Sequence, residues 1–257
     1  MCLILLAYKT HPSYPLVLAA NRDEFYDRPS MAAAFWDDRP DVLAGRDLRE
    51  GGTWLGVTKK GRMAALTNYR DPQSVRPHAP SRGWLVRNFL CGSESPDRYL
   101  KNLSAGADRY NGFSLILGDV SRLHCFSNRD GSSLLAPGLY GLSNRLLDTD
   151  WPKVRRGKSR LAALLSQAER LDPEDLFSLL ADRSQPEDGE LPETGIGLEW
   201  ERILSSIFIA SPIYGTRSSS LLLVDRRRRA TFMERVFNGG EAPWMTAKFE
   251  FTMESGP

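Results

Sequence analysis

The second residue of the chain is the one best suited to covalent chemistry. Cys2 follows Met1, and methionine aminopeptidase removes an initiator Met that precedes a small residue such as Cys. Cys2 would then carry a thiol beside a free α-amine, whose reference pKa of about 8 suits a general base. This is the arrangement of an N-terminal nucleophile. Considered alone, a cysteine near an N-terminus is more often a small buried apolar residue.

The polar residues at positions 21–24, Asn-Arg-Asp-Glu, shift the balance toward chemistry. Two apolar segments, 3–7 and 16–20, are separated by a turn that contains Pro and Ser, which predicts neighbouring strands. Pairing of these strands brings residues 21–24 opposite Cys2. Charged side chains at the end of a buried strand are costly unless they pair or do chemistry.

The sequence leaves open which of these four residues face Cys2. Side chains alternate along a strand, so Asn21 and Asp23 lie on one face and Arg22 and Glu24 on the other. Arg22 beside the thiol predicts a lowered thiol pKa and a larger thiolate fraction.

Other predicted strands also end in polar residues. Asn68 and Asn144 each close an apolar strand, and Arg217 lies at the start of a late strand. Such polar ends are expected where a site is built at one edge of a sheet. We expect Cys2 to lie at the mouth of a cleft, with Asn68 and Asn144 both pointing toward its sulfur.

Several short motifs follow one another along the chain from residue 2 to residue 217. They are Met-Cys with Asn-Arg-Asp-Glu behind it, then Gly-Gly-Thr-Trp-Leu-Gly, Leu-Thr-Asn-Tyr, Tyr-Asn-Gly-Phe, Tyr-Gly-Leu-Ser-Asn and Tyr-Gly-Thr-Arg. Together they resemble the NRDE family, the family of the transport and Golgi organisation protein 2. The resemblance covers nearly the whole chain.

That family resembles, more weakly, the N-terminal-nucleophile hydrolases that use a Cys, such as penicillin V acylases and bile salt hydrolases. The resemblance implies an α+β fold, a four-layer αββα sandwich, in which Cys2 attacks an amide carbonyl. It implies that Asn68 and Asn144 donate to the oxyanion and that Arg217 matches a further Arg of the hydrolase site.

The chain departs from the hydrolases at the end of the second strand. The hydrolases carry Arg-x-x-Asp there, whereas this chain has Arg22 and Asp23 next to each other. Either this pair holds Cys2 in a shifted register, or Asn21 and Glu24 take the two places. A site with Asn in place of Arg would be inactive in the hydrolase sense.

The order of predicted elements favours antiparallel sheets with helices outside, because hairpin links dominate between strands. We expect one domain over residues 1–257. The segment 25–41 is predicted to be an extended loop, 184–197 a mobile loop or lid, and 206–210 a strand.

The composition narrows the function classes. With 34 basic and 32 acidic residues and a net charge of +2, the chain has no strong field for nucleic acid. Its three cysteines and three histidines follow no metal-ligand spacing, so we predict neither a metal nor a cofactor. No apolar run is long enough to span a membrane, and a reducing, cytoplasmic location is expected. The oligomeric state stays open.

These observations predict a C–N hydrolase or acyl transferase for a small acylated substrate, with Trp54, Tyr69 and Arg82 in substrate binding. The alternative is a protein that uses the same fold to bind or traffic haem or a lipid, as relatives in the family are linked to such handling. In that case the pocket would be lined by Trp36, Trp54, Tyr69 and Trp84, with His78 or Cys2 on a haem iron. A third interpretation is a structural protein that keeps a dead site.

Overall fold

The computed structural model describes residues 2–237 and 245–254, which form thirteen strands and five α-helices. The strands are β1 Cys2–Tyr8, β2 Leu16–Phe25, β3 Ser30–Trp36, β4 Arg39–Asp47, β5 Leu55–Thr58, β6 Met63–Asn68, β7 Phe113–Gly118, β8 Leu123–Ser127, β9 Gly131–Leu134, β10 Gly138–Leu142, β11 Tyr214–Val224, β12 Arg229–Val236 and β13 Met245–Thr252. The helices are α1 Gly83–Cys91, α2 Pro96–Ser104, α3 Pro152–Gln167, α4 Pro173–Leu180 and α5 Leu198–Ile203.

The strands form two antiparallel sheets. The first sheet has the order β10-β1-β2-β11-β12-β13, and the second runs from β3 to β9 in chain order. The second sheet is therefore a meander of hairpins. The first sheet joins the N-terminal hairpin to the C-terminal strands, so that β2 lies between β1 and β11.

Alternate side chains of β1 enter different cores. Ile4 and Leu6 pack between the two sheets, whereas Leu3 and Leu5 pack against α3 and α4. A strand covered on both faces reads as a continuous apolar run, and for this reason β1 lacks a polar face. A third core joins α1 to the outer face of the second sheet. The layers are helix, sheet, sheet, helix, which confirms the predicted αββα sandwich.

Several local predictions differ from the structure. Residues 25–41 contain β3 and the start of β4 instead of one extended loop. β3 is the edge strand of the second sheet, and its exposed positions are Ser30, Met31 and Ala34, so its sequence shows no clean alternation of apolar and polar residues. Residues 206–210 are not a strand, although Ala210 makes one isolated bridge with Gly215. The segment 184–197 contains a short 3-10 turn at Asp188–Glu190.

Candidate active site

The N-terminal hairpin places Cys2 directly opposite Arg22. Cys2 lies on the face of β1 that looks toward the second sheet, in line with Ile4 and Leu6. The residue is 8% exposed and lines a cavity between the two sheets. The expectation that pairing of the two strands brings Cys2 to the polar residues 21–24 agrees with this geometry.

The cavity has a volume of about 550 Å³ and draws its walls from both sheets. Its lining comes from β1, β2, β3, β4, β6, β11 and β12, from the loop between β4 and β5 and from the loop that precedes α1. Most of the lining is polar, and its charged members are Arg22, Asp23, Glu24, Arg28, Arg46, Asp47, Arg49, Glu50, Arg82, Arg217 and Glu234.

Arg22 and Glu24 occupy the cavity face of β2. The Nη1 atom of Arg22 is buried and has no hydrogen-bond partner in the described part of the chain. Glu24 accepts the backbone N–H of Phe25 at 3.0 Å, and its other oxygen lies 3.8 Å from Nε of Arg28. Arg22 is thus the guanidinium nearest in register to the thiol, and it has unused hydrogen-bonding capacity.

Asp23 also lines the cavity, although its strand position points it toward the helix side. Its carboxylate accepts the hydroxyl of Thr216 at 2.7 Å, and its backbone carbonyl accepts the hydroxyl of Tyr214 at 2.9 Å. Burial raises the pKa of Asp23 above its ordinary value, and the positive charge of Lys153 opposes that rise. Lys153 is itself fully enclosed, and burial lowers its pKa to about 8.

Asn21 lies outside the cavity. Its side-chain amide donates to the carbonyls of Leu180 and Ile207 at 2.9 and 2.8 Å, and its oxygen accepts the hydroxyl of Ser219 at 2.6 Å. These bonds tie β2 to the helix layer. Of the two alternatives left open by the sequence, the one that places Asn21 beside Cys2 is wrong.

The two asparagines expected at the oxyanion have different positions. Asn68 lines the cavity, and its side chain makes no hydrogen bond to any described residue. Asn144 does not line the cavity, because its amide donates to the backbone carbonyl of Asn68 at 3.0 Å. The hydroxyl of Ser143 bonds both the carbonyl of Cys2 and the oxygen of Asn144. Asn144 thus holds the end of β6 next to β1, and the expectation that both asparagines point toward the sulfur stays a prediction.

Arg217 enters the cavity from a β-bulge. Asp23 pairs with Thr216 and Arg22 pairs with Ser218, which leaves Arg217 as the extra residue of β11. A bulge bends its strand and redirects a side chain, and bulges are common beside functional sites. One guanidinium nitrogen of Arg217 donates to three backbone carbonyls of residues 25–28, at 2.9 to 3.1 Å.

Two of the three residues expected to bind substrate line the cavity. Trp54 and Arg82 do so, but Tyr69 does not. The backbone N–H of Tyr69 donates to the carbonyl of Gly112, and its ring packs beside the guanidinium groups of Arg129 and Arg145. Tyr69 is occupied in this structural contact, so its expected place at the substrate is wrong.

Glu234 is a cavity residue that the sequence analysis missed. Its carboxylate accepts the backbone N–H of Ala33 at 2.6 Å and the hydroxyl of Ser220 at 3.3 Å, and burial raises its pKa. A signal for it exists in β12, where Ala230 and Phe232 are the buried members of a period-2 pattern and Glu234 is the next. Thr216 and Lys153 were missed as well, and no sequence signal marks either of them.

The environment of the thiol differs from the expectation. Burial raises the pKa of Cys2, and the positive charge of Arg22 only opposes that effect. The predicted lowering of the thiol pKa is therefore wrong, because loss of hydration outweighs one neighbouring cation. At neutral pH the thiol is protonated, so it needs a base to become a nucleophile.

The cavity offers little support for an apolar ligand. Trp36 is buried in the core under α1 and donates its indole N–H to the carbonyl of Ala44, and Trp84 packs against Arg87 at the surface. Neither these two residues nor the exposed His78 lines the cavity.

The family model of Transport and Golgi organisation 2 matches residues 1–239 of the chain. The chain belongs to that family. Over 99% of its length it is 37% identical to the mouse homologue and 40% identical to the bovine homologue, in each case across the whole of the relative. The Drosophila melanogaster Transport and Golgi organization protein 2 is 28% identical over the full length of both chains.

Solved structures of more distant proteins share the fold. The N-acylethanolamine-hydrolyzing acid amidase ortholog of Caenorhabditis elegans superposes with a TM-score of 0.52 at 9% identity, covering 86% of this chain and 92% of that one. A conjugated bile acid hydrolase from Clostridium perfringens gives a TM-score of 0.52 at 8% identity, covering 100% and 99%. At such identities the likeness establishes the N-terminal-nucleophile-hydrolase-like fold alone. Within residues 2–237 and 245–254 of this chain, no helix is both long and apolar enough to cross a membrane.

Proposed function

We propose that this protein is an amide hydrolase or acyl transferase whose nucleophile is Cys2 after removal of Met1. The observation that carries the proposal is the position of Cys2, opposite Arg22 in the hairpin and in the wall of a polar cavity of about 550 Å³. A purely structural cysteine would be expected among apolar side chains, as Cys125 is between the sheets.

The reaction starts with transfer of the thiol proton to the α-amine of the same residue. The sulfur then bonds to the carbonyl carbon, and the carbonyl electron pair moves onto oxygen. Collapse of this intermediate breaks the C–N bond, and the ammonium group returns its proton to the leaving amine. The thioester left on Cys2 is cleaved by water to a carboxylic acid, or by another nucleophile in acyl transfer.

The raised thiol pKa makes the amine essential to this scheme. A buried, protonated thiol has almost no thiolate at neutral pH, whereas an α-amine with a reference pKa of about 8 is well matched to accept its proton. Asp23 supplies negative charge beside Cys2 that stabilises the ammonium form. Thr216 fixes one oxygen of that carboxylate.

Asn68 is the residue best placed to stabilise the oxyanion. Its side chain lines the cavity and has no partner among the described residues, and Asn144 fixes its backbone through the 3.0 Å bond to its carbonyl. A donor whose position is fixed before the reaction is worth about 100-fold or more in rate. Arg22, with its unpartnered Nη1, is the second candidate for this role.

The distant neighbours support the chemistry only by analogy. Both are hydrolases, an N-acylethanolamine-hydrolyzing acid amidase and a conjugated bile acid hydrolase. This chain combines the same fold with a cysteine near the N-terminus that lines a cavity. The residues that line this cavity determine which substrate it accepts.

Acylation by p-nitrophenyl acetate, a small activated acyl donor, tests the proposal. We expect one acetyl group on Cys2 by peptide mass spectrometry and repeated release of p-nitrophenolate by Met-free protein. Cys2→Ala should abolish both, while Cys91→Ala serves as the matched control and should retain both. Acetylation of Cys91 at the same rate as Cys2, or turnover that survives Cys2→Ala, would contradict the proposal.

A further inference from the structure

We propose that the substrate of this site carries a carboxylate or phosphate group, which is bound by Arg82 and Arg217. This inference rests on the proposed function and adds the substrate class to it. The cavity walls contain six arginines, and the way these are paired divides them into two groups of three.

The first three arginines are neutralised by carboxylates. Arg28 bonds Asp47 through two of its nitrogens, Arg46 bonds both oxygens of Asp38, and Arg49 lies 3.7 Å from an oxygen of Asp27. Each of these three guanidinium groups thus has a carboxylate partner, although the contact of Arg49 is solvent-exposed and the buried Nε of Arg46 has no partner among the described residues.

The other three, Arg22, Arg82 and Arg217, have no carboxylate oxygen within 4.0 Å in the described part of the chain. One guanidinium nitrogen of Arg82 donates to the backbone carbonyl of Gly112 at 2.8 Å. One guanidinium nitrogen of Arg217 donates to backbone carbonyls. Its buried Nε has no hydrogen-bond partner among the described residues. Each guanidinium is therefore positioned by the protein but not neutralised by it.

Of the five acidic residues of the cavity, Asp47 is paired with Arg28, and the negative charge of Glu50 acts on that same arginine. Glu234 is bonded to Ala33 and Ser220, and Asp23 is bonded to Thr216. The one acid near both free guanidiniums is Glu24, which accepts the N–H of Phe25 and lies beside Arg28. It cannot neutralise several arginines at once.

Desolvated arginines without counter-ions are costly, and this cost points to a ligand. Burial lowers the pKa of Arg82, and burial also lowers the pKa of Arg217. An anionic group of the substrate would offset this loss of hydration by pairing with the guanidinium groups. The planar guanidinium can form two parallel hydrogen bonds to the oxygens of a carboxylate or a phosphate. A neutral substrate would leave both cations uncompensated.

Alkylation of Cys2 by a matched pair of reagents tests this directly. Iodoacetate and iodoacetamide both alkylate sulfur through a methylene carbon, with iodide as the leaving group. Only iodoacetate is an anion. The quantity measured is the rate with iodoacetate divided by the rate with iodoacetamide at Cys2. We expect this ratio to be about tenfold higher in the folded protein than in the urea-unfolded chain, which corresponds to about 1.4 kcal/mol. High salt should remove the difference.

Arginine variants assign the effect. Arg82→Gln should lower the ratio toward the unfolded value, with Arg22 and Arg217 keeping the remainder, and Arg82→Lys should lower it less. Arg46→Gln is the matched control, because that arginine lines the same cavity but is already paired, and it should change nothing. Arg217 also holds backbone carbonyls, so Arg82→Gln is the cleaner variant. An unchanged ratio in Arg82→Gln would overturn the assignment.

A binding measurement separates failure of this inference from failure of the proposed function. Calorimetry on Cys2→Ala would use N-hexanoyl-4-aminobenzoate, the corresponding phenyl phosphate and the neutral benzamide. We expect one of the anions to bind at least tenfold more tightly than the benzamide, which also tells carboxylate from phosphate. Arg82→Gln should weaken this preference. Equal affinities, or no binding by any of the three, would overturn the inference even if Cys2 is acylated as proposed.

Discussion

Asp23 combines a stability cost with a role in the proposed chemistry. Its carboxyl is 1% exposed, and burial raises its pKa although Lys153 and Thr216 stabilise the charged form. Natural proteins often carry such a cost at a functional site, because activity requires a group that the fold alone would not choose. The same conflict is visible at Cys2, whose thiol is held protonated by burial.

We predict that Asp23→Asn stabilises the protein at neutral pH while it abolishes acylation of Cys2. A folded-state pKa above the unfolded value means that the folded chain binds the proton more tightly. The stabilising contribution is then present below the unfolded pKa of about 3.9 and is lost as the pH rises through the folded pKa. The neutral amide keeps the bond from Thr216. Urea unfolding should give a gain of about 1 kcal/mol at pH 7 that disappears near pH 4. A loss of stability at pH 7 would contradict this explanation.

Asn68 and Asn144 should separate function from stability. Asn68→Ala removes a side chain that bonds no described residue, so we expect about a 100-fold loss of acylation rate with little change in the free energy of unfolding. Asn144→Ala leaves buried partners unsatisfied and should cost about 1–3 kcal/mol. The two quantities would be measured by p-nitrophenolate release and by urea unfolding. The reverse pattern would show that Asn144 and not Asn68 serves the reaction.

At the scale of elements, β2 is the strand on which the site depends. It pairs with β1 on one side and with β11 on the other, so it sets Cys2 against Arg22 and Thr216 against Asp23. The apolar runs of β1 and β2 are enough to predict this hairpin from the sequence. The bulge that exposes Arg217 to the cavity depends on the pairing of strands nearly two hundred residues apart, and no local pattern reveals it.

Two helix N-termini coincide with start signals that are visible in the sequence. Ser95 with Pro96 and Asp172 with Pro173 both mark observed N-termini, and each N-cap side chain accepts a backbone N–H. The site residues were predictable only where the chain itself brings them close. The sequence left the position of Asn21 open and misplaced Tyr69, because their partners, Leu180 and Gly112, come from other layers or loops.

The contact between α3 and β1 gives a prediction at this scale. A Cβ on Gly157 would lie 2.9 Å from a methyl carbon of Leu5, which is completely buried. Helix propensity alone predicts that Gly157→Ala stabilises the helix by about 1 kcal/mol. We expect the opposite, a loss of about 1–2 kcal/mol from overpacking.

Leu5→Val supplies the control for this variant. Combined with Gly157→Ala it should cost less than the sum of the two single changes, because the smaller side chain makes room for the new methyl group. Urea unfolding of the four proteins completes the cycle. If Gly157→Ala raises the free energy of unfolding, or if the effects of the two substitutions on it are strictly additive, α3 does not pack closely against β1.

At the scale of the whole molecule, the two sheets enclose an apolar core that becomes a polar cavity at one end. The order of strands and helices along the chain was sufficient to predict the four layers, since hairpin links dictate antiparallel sheets. The cavity was not predictable to the same degree, because its walls combine seven strands of the two sheets (β1, β2, β3, β4, β6, β11 and β12) with loops. The single domain over 1–257 and the cytoplasmic location stay predictions.

The central claim is that Cys2 reacts through its own amine, and the rate of alkylation by iodoacetamide tests it most directly. The measurement compares all three cysteines at pH 7.5 in protein freed of Met1 and in protein that retains it, with each form verified by intact mass. Burial raises the pKa of Cys125 to about 12 and also raises the pKa of Cys91, so both should react slowly in either form. We predict that Cys2 of the Met-free protein reacts at least about tenfold faster than the other two and that retention of Met1 removes this advantage. Equal, slow rates at all three thiols of the Met-free protein would contradict the account.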